Sequence, residues 1–191
     1  NYRLPKAFTA VLVGSGLGIS GLLMQTLFRN PLAGPFVLGI SSGASLGVAL
    51  LLLSAEIFGG IAADIVTSNF SLAIAASGGA FLVLLAVLVA ATRVRNTMSI
   101  LIIGLMFGSF TGAIISVLAY FSSAEQLQQF MFWSFGSLGN LSWQEIRLFL
   151  ILFIVGLITI LFIIKPLNSL LLGENYAKSM GVNFKTTRTI T

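Results

Sequence analysis

The sequence predicts an all-α membrane protein that crosses the bilayer several times, and three observations lead to this fold class. Of the 191 residues, 57% are hydrophobic and only 8% are charged, whereas about a quarter of the residues of a soluble domain are charged. The mean hydropathy is +1.05. Apolar runs of about 20 residues recur along the chain, which is the length that a helix needs to cross a bilayer. We therefore expect a polytopic helical protein.

Five apolar runs are predicted to span the membrane as helices, with boundaries at residues 7–28, 36–55, 70–92, 98–121 and 143–164. Pro166 is expected to end the fifth helix, because proline lacks an amide hydrogen and clashes with the preceding turn. Residues 1–164 would then form one transmembrane domain, followed by a cytoplasmic segment at 165–191.

The segment Ala124–Phe135 is too short to cross the bilayer and is predicted to form a half-helix near one surface. Ser123 and Gln126 make a capping-box pattern at its start. Ser142 and Glu145 make the same pattern at the start of the fifth span. Helical spacing predicts one shared apolar face on the half-helix, formed by Leu127, Phe130 and Met131.

The basic residues predict the orientation, because cytoplasmic loops carry an excess of Lys and Arg. If the chain starts outside the cytoplasm, seven basic residues are cytoplasmic: Arg29, Arg93, Arg95, Lys165, Lys178, Lys185 and Arg188. The other three, Arg3, Lys6 and Arg147, are then outside. Since these charges lie at the ends of apolar runs, topology and lipid headgroups explain the net charge of +5 better than nucleic acid does.

The stretch GLGISG at residues 16–21 fits the pattern of a dinucleotide-binding loop. Such a loop needs an acidic residue about 20 positions further on, but the first acidic residue of the chain is Glu56. We interpret the glycines as helix-packing positions, because small residues at four-residue spacing let helix backbones approach closely. The alternative is that some glycines line a path or let a helix shift. The same spacing recurs at Gly14 and Gly18, at Gly39, Gly43 and Gly47, and at Gly104, Gly108 and Gly112.

The polar residues of the spans are neutral, and no ionisable residue lies deep within a predicted span. This argues against a proton relay, an ion-coupled antiporter and a voltage sensor. The chain has no Cys and no His, so we predict no metal site. The neutral side chains suit a path for a bulky polar solute, with hydrogen bonds between helices as the alternative. They are Gln25, Ser41, Ser42, Ser45, Ser77, Ser99, Ser109, Thr111 and Ser116.

Three motifs follow one another near the start of the chain: RLPK at residues 3–6, Ser20-Gly21 with Gln25, and NPLA at residues 30–33 with Pro35 and Gly39. They resemble the R-L-P-R, S-G-x-x-x-Q and N-P-L-A-x-P-x-x-L-G patterns of the iron-siderophore, haem and cobalamin permeases of bacterial ABC importers. The resemblance continues through QLQQFMFWSFGSLGNLSW and LNSLLLGENYAKSMGVN.

The resemblance implies a fold of about ten spans in the bacterial inner membrane, of which this chain, as a fragment, would hold the second to the sixth. It implies a permease subunit that imports a ferric siderophore, the commonest cargo of the family, or haem or cobalamin. The expected partners are a second permease copy or a paralogous permease, a cytoplasmic ATPase, a periplasmic or lipid-anchored binding protein, and membrane lipid. ATP would bind the ATPase, so we expect no enzyme activity and no cofactor on this chain.

The resemblance also implies roles for individual residues at the two membrane surfaces. Arg3 and Lys6 would dock the binding protein, although Lys6 lacks the bidentate fork of an arginine and lipid anchoring is the alternative. A cytoplasmic coupling helix that docks on the ATPase would involve Gly173, Glu174, Tyr176, Ala177, Lys178, Met180 and Gly181.

The translocation path would be lined by residues from several spans and from the half-helix. The turn 96–99 resembles the cytoplasmic gate, with Thr97 and Met98 at its narrowest point. Gln25, Ser41, Ser42, Gly104 and Gly108 are predicted along the path. The half-helix would line the outer opening with Phe130, Met131 and Trp133.

Two functions of other classes are weighed against an importer. A passive channel needs no coupling helix, so the segment 167–188 argues against it. A membrane scaffold or receptor that transports nothing needs neither a gate-like turn nor cations at the outer rim.

Overall fold

The structure is a computed structural model that describes residues 3–53, 68–94, 97–139 and 141–171. The described residues form α-helices joined by turns, without a strand. The helices are α1 (Arg3–Phe28), α2 (Ile40–Leu53), α3 (Asn69–Ala91), α4 (Thr97–Phe121), α5 (Ala124–Phe135) and α6 (Trp143–Leu171), and a 3-10 turn (Pro35–Leu38) precedes α2.

Four described helices are long and apolar enough to cross a membrane, namely Arg3–Phe28, Asn69–Ala91, Met98–Phe121 and Trp143–Ile164. The predicted fold class, an all-α polytopic membrane protein, is therefore confirmed. The segment predicted as the second span differs. It begins as the 3-10 turn, and its α-helix starts only at Ile40 and has 14 described residues. The break lies at Gly39, whose φ of +77° turns the chain between the two elements.

The observed helix boundaries differ from the predicted ones near two prolines, Pro5 and Pro166. α1 begins at Arg3, so Pro5 lies in its first turn, where the missing amide hydrogen would have no partner within the helix. The prediction that Pro166 ends the last helix is wrong, because α6 continues to Leu171. Membrane helices tolerate an internal proline when local adjustments satisfy the freed carbonyl group.

The chain divides into two compact units, residues 1–34 with 137–191, and residues 35–136. In the first unit α1 and α6 run parallel, because their contacts advance along both helices in the same direction. The rings of Phe8 and Trp143 meet edge to face with centroids 6.2 Å apart. Gly16 faces the ring of Phe153, and Leu167 packs against Leu23 further along.

The second unit is organised around α2, which packs along α3 and α4. The half-helix α5 lies against the C-terminal part of α2, where Phe130 joins a buried cluster with Val48, Ala49, Leu52 and Leu53. The hydroxyl of Ser122, after α4, donates to the Leu53 carbonyl at 3.3 Å. The described C-terminal part of α2 is thus held by α5 and by the residue that follows α4.

Candidate functional site

The backbones of α2 and α3 touch at glycine positions. A Cβ on Gly43 would lie 2.7 Å from the Gly79 carbonyl oxygen and 2.9 Å from the Val83 Cβ. A Cβ on Gly47 would meet the carbonyl group of Ala75. No side chain fits at these distances, so the predicted packing role of Gly43 and Gly47 is confirmed.

The backbone of α4 approaches the 3-10 turn in the same way. A Cβ on Gly104 would lie 2.5 Å from the Val37 carbonyl oxygen and 2.7 Å from the Leu38 Cα. A Cβ on Gly39 would lie 3.0 Å from the Gly104 carbonyl oxygen, and its positive φ independently favours glycine. We call the set Gly39, Gly43, Gly47, Gly79 and Gly104 the glycine junction.

Not all the glycines with four-residue spacing are packed. No atom would lie within 4 Å of a Cβ on Gly14, Gly18 or Gly112, and one on Gly16 would make ordinary contact with the Phe153 ring at 3.8 Å. Within the described residues no backbone fills the predicted groove at Gly14 and Gly18, so its packing role stays a prediction. The bulky ring of Phe153 lies between α1 and α6, so the two backbones do not approach as closely as those of α2 and α3.

The two cations predicted to dock a partner protein lie in the first two turns of α1. Arg3 and Lys6 are three residues apart, so they share a helix face, and both side chains are exposed. Neither forms an ion pair within the part of the chain that the structure describes. Both charges are therefore accessible to a partner at this helix end.

The predicted path residues have different surroundings. Gln25 and Ser41 are exposed, and Ser42 is half-buried with its Oγ 3.3 Å from where a Cβ on Gly108 would lie. Gly104 and Gly108 both face the segment 37–42, so in this conformation they serve helix packing. Their role in a path stays a prediction.

The predicted gate lies at the start of α4. Thr97 is the first residue of this helix, and the side chain of Met98 is exposed. Met98 precedes Gly104 by six residues, or about 9 Å along the helix axis. The gate would therefore lie beyond the cytoplasmic end of the glycine junction.

Several hydroxyl groups of the spans bond to their own helix. Thr111 is buried and donates to the Gly108 carbonyl at 2.8 Å. Ser109 and Ser116 donate to the Leu105 and Gly112 carbonyls at 3.1 and 3.0 Å. Among the described residues, none of these three hydroxyl groups donates to another helix, and the exposed oxygen atoms of Ser109 and Ser116 keep acceptor capacity for a passing solute.

Both predicted capping boxes are confirmed. At α5, the Ser123 amide donates to Gln126 Oε1 at 3.1 Å and the Gln126 amide donates to Ser123 Oγ at 3.4 Å. At α6, the Ser142 amide donates to Glu145 Oε2 at 2.6 Å and the Glu145 amide donates to Ser142 Oγ at 3.3 Å.

The half-helix packs through only part of the predicted apolar face. Phe130 is buried and its ring stacks on Trp133 with centroids 6.3 Å apart. Leu127 and Met131 are exposed. The packed side is therefore centred on Phe130 and Trp133, whereas Met131 is accessible, as a residue that lines an opening has to be.

The predicted coupling residues lie outside the described residues, as does Asn96 of the gate-like turn. The coupling set is Gly173, Glu174, Tyr176, Ala177, Lys178, Met180 and Gly181. Their role stays a prediction.

Sequence reasoning missed the α3 side of the glycine junction. Ala75 and Gly79 present the backbone that Gly43 and Gly47 touch. The sequence does contain the pattern that would have identified this face of α3: small residues recur at four-residue spacing at Ser71, Ala75 and Gly79.

Comparisons with known proteins agree on one relationship. The model of the FecCD transport family matches residues 1–191. The vitamin B12 import system permease protein BtuC of Salmonella paratyphi A is 37% identical over 182 residues, which are 94% of this chain and 52% of that protein. The BtuC protein of Escherichia coli strain K12 / DH10B is 36% identical over 182 residues, which again cover 94% of this chain and 52% of that protein. The chain thus spans about half the length of these relatives.

A solved structure has the same fold. It is described as an inward-facing conformation of a transporter assigned to the metal-chelate type of ABC transporters. The TM-score is 0.80 at 30% sequence identity, and the alignment covers 97% of this chain and 56% of that one.

Proposed function

The chain belongs to the FecCD transport family, and on that basis we propose that it is part of the permease subunit of an ABC importer in the bacterial inner membrane. The match over residues 1–191 carries the proposal. It covers the segments for which docking, path and coupling roles are predicted. Four membrane-spanning helices supply the hydrophobic body that such a subunit requires.

The proposed cargo is a large metal chelate, namely cobalamin, a ferric siderophore or haem. Two observations support this class. The relatives compared above are vitamin B12 permeases, and the spans offer neutral oxygen atoms without an ionisable group in their middle parts. A neutral lining gives a bulky polar solute weak contacts rather than a deep binding site. A ferric siderophore was the cargo expected from the sequence, whereas the compared relatives import vitamin B12, so all three chelates have to be tested.

ATP would be hydrolysed on a separate cytoplasmic subunit. The segment 173–181 would dock on that subunit and transmit its movement. At the other surface, Arg3 and Lys6 would meet acidic side chains of a delivering binding protein. Exposed charges at a rim mainly steer association and fix orientation, which suits a partner that has to dock and leave in each cycle.

The glycine junction bears on how the helices could move. Because the backbones of α2 and α3 touch, a shift of one helix along the other would bring backbone atoms into collision. We therefore propose that α2 and α3 move together as one body between outward-facing and inward-facing states. A ligand shifts such an equilibrium only through different affinities for the two states, so ATP and the binding protein would each favour one of them.

The proposal is tested by uptake in the host from which the gene is deleted and then restored. Labelled cobalamin, ferric siderophores and haem are supplied separately, with and without depletion of cellular ATP. Loss of one ATP-dependent uptake on deletion, regained on restoration, is the expected result and identifies the cargo. If uptake of all three persists, a scaffold or receptor is favoured, and a lost uptake that needs no ATP favours a passive channel.

A further inference from the structure

Arg147 is the one cation of α6 that lies inside its apolar span, four residues or about 6 Å from the start of the helix. Its Nε donates to the Trp143 carbonyl at 3.4 Å. Side chains of a helix lean towards its N-terminus, and this hydrogen bond shows that Arg147 does so. The guanidinium group is therefore directed towards the membrane surface rather than the middle of the bilayer.

The charge of Arg147 is not neutralised within the described residues. The side chain is exposed. The nearest carboxylate in sequence, that of Glu145, accepts from the Ser142 amide in the capping box and makes no ion pair with Arg147. The terminal nitrogen atoms of the guanidinium group thus keep their donors for an anion.

The face of α6 that carries Arg147 continues as an exposed apolar stripe. Helical spacing places Ile151, Val155, Ile158 and Phe162 below it, and all four side chains are exposed. The stripe is directed away from α1, since Phe153, which contacts α1, lies about 120° around the helix from Arg147. A stripe that lined a path for a polar solute would carry polar groups, and this one carries none.

Trp143 completes the arrangement one turn above Arg147. Its ring is half exposed and is held edge to face by Phe8. Tryptophan is enriched where the hydrocarbon layer meets the headgroups, because its ring is apolar and its indole N–H is a donor. An indole donor, a guanidinium group and an apolar stripe follow one another along the helix axis, in the order in which a phospholipid presents its headgroup, phosphate and acyl chains.

We propose that Arg147 and Trp143 bind the phosphate group of a net-anionic phospholipid at the end of the span where α6 begins, with an acyl chain along the stripe from Ile151 to Phe162. The chemistry that selects the ligand is the positive charge of Arg147 beside an acyl-chain surface: its guanidinium group attracts the phosphate of any phospholipid but is repelled by the cationic group of a zwitterionic headgroup, so a lipid with a net negative charge is preferred. The proposal goes beyond transport and requires only that α6 spans the membrane.

The test uses tryptophan fluorescence of the full-length protein in bilayers. Trp133 and any tryptophan in the rest of the protein are replaced by Phe, so that Trp143 is the only reporter. The bilayers contain phosphatidylcholine with a small fraction of phosphatidylglycerol, and one of the two lipids at a time carries brominated acyl chains, which quench fluorescence on contact.

We expect brominated phosphatidylglycerol to quench Trp143 more than its mole fraction predicts, and salt to weaken this preference. Arg147→Gln should lower the preference about fivefold, as expected for one basic side chain at a charged membrane surface. Arg147→Lys should keep most of it. Arg93→Gln, which follows the C-terminal end of α3 on the predicted cytoplasmic side, should leave the lipid preference unchanged.

Two results would overturn the proposal. Equal quenching by the two brominated lipids around the unsubstituted Arg147 would show that the site does not select an anionic lipid. Absence of quenching by either lipid would show that a protein segment covers this face of α6. Because both results concern the reporter protein with Arg147 intact, they do not depend on whether the Arg147 variants fold.

Discussion

Substitution of Gly79 by Ala tests whether the glycine junction stabilises the fold. The added methyl group would lie against the carbonyl oxygen of Gly43, 2.8 Å from the Gly47 nitrogen and 2.9 Å from the Gly47 Cα. All three neighbours are backbone atoms of α2, so no change of rotamer relieves the clash. Because carbon contacts are optimal at about 3.5–4.0 Å, α2 and α3 would have to separate by about 1 Å.

Such overpacking costs about 1–3 kcal/mol. Because the relatives are about twice as long as this chain, and the entropy of unfolding grows with length, the unfolding midpoint of the full-length protein should fall by about 1–6 °C. The midpoint is measured on the purified full-length protein in detergent, as the temperature at which half of the monodisperse peak in gel filtration is lost.

Gly78→Ala is the matched control, because it is the same substitution one position earlier in the same helix. No atom of the described residues would lie within 4 Å of its Cβ, and alanine has a helix propensity about 1 kcal/mol more favourable than that of glycine. Gly78→Ala should therefore leave the midpoint unchanged or raise it. Equal midpoints for the two variants, or a Gly79→Ala protein as stable as the unsubstituted one, would refute the proposed role of the junction.

Three further predictions concern docking, the half-helix and coupling, each in the full-length protein. Arg3→Glu with Lys6→Glu should weaken the affinity for the binding protein in a salt-dependent way in a pull-down titration, because two favourable charges become unfavourable; unchanged affinity would remove the docking role. Phe130→Ala should lower the unfolding free energy by about 3–5 kcal/mol, since a buried aromatic ring is lost, whereas the exposed Met131→Ala should change it little; similar effects of the two would contradict the observed packing of α5. Tyr176→Pro should break the predicted coupling helix and leave ATP hydrolysis without uptake of cargo, and normal uptake would exclude that role.

The local features of the fold could be predicted because they depend on residues close in sequence. Both capping boxes need only a serine and a carboxyl or amide side chain three residues later. The apolar runs predicted α1, α3, α4 and α6 by length and composition. The end of α6 was mispredicted at Pro166, since a membrane helix accepts a proline that would end many soluble helices.

The glycine contacts could be predicted only in part. Four-residue spacing identifies positions where a helix can be approached closely, but it does not identify the partner. Gly104 meets the 3-10 turn at Val37, an element that the sequence did not predict, whereas Gly14 and Gly18 have the same spacing and no neighbour within 4 Å in the described part of the chain. Which glycines are packed is therefore decided by the tertiary arrangement of the helices, which the spacing alone does not contain.

The packed face of the half-helix could not be read from periodicity either. The 3.6-residue period allows an apolar face at Leu127, Phe130 and Met131, and an overlapping one at Phe130 and Trp133. The position of α2 beside α5 decides in favour of the second, because Phe130 and Trp133 join the cluster formed by Val48 and Leu52. The sequence thus predicted the apolar face that contains Phe130 but not which of its neighbours packs against α2.

Reconstitution tests the central claim, ATP-driven import, most directly. The full-length permease, its ATPase and its binding protein are placed in proteoliposomes, and the movement of labelled cobalamin or ferric siderophore towards the ATPase side is followed. We predict accumulation against a gradient that requires both the binding protein and ATP, and that stops when ATP is replaced by an analogue that cannot be hydrolysed. Equilibration of the cargo without ATP, or an assembled complex that hydrolyses ATP and moves no chelate, would contradict the account.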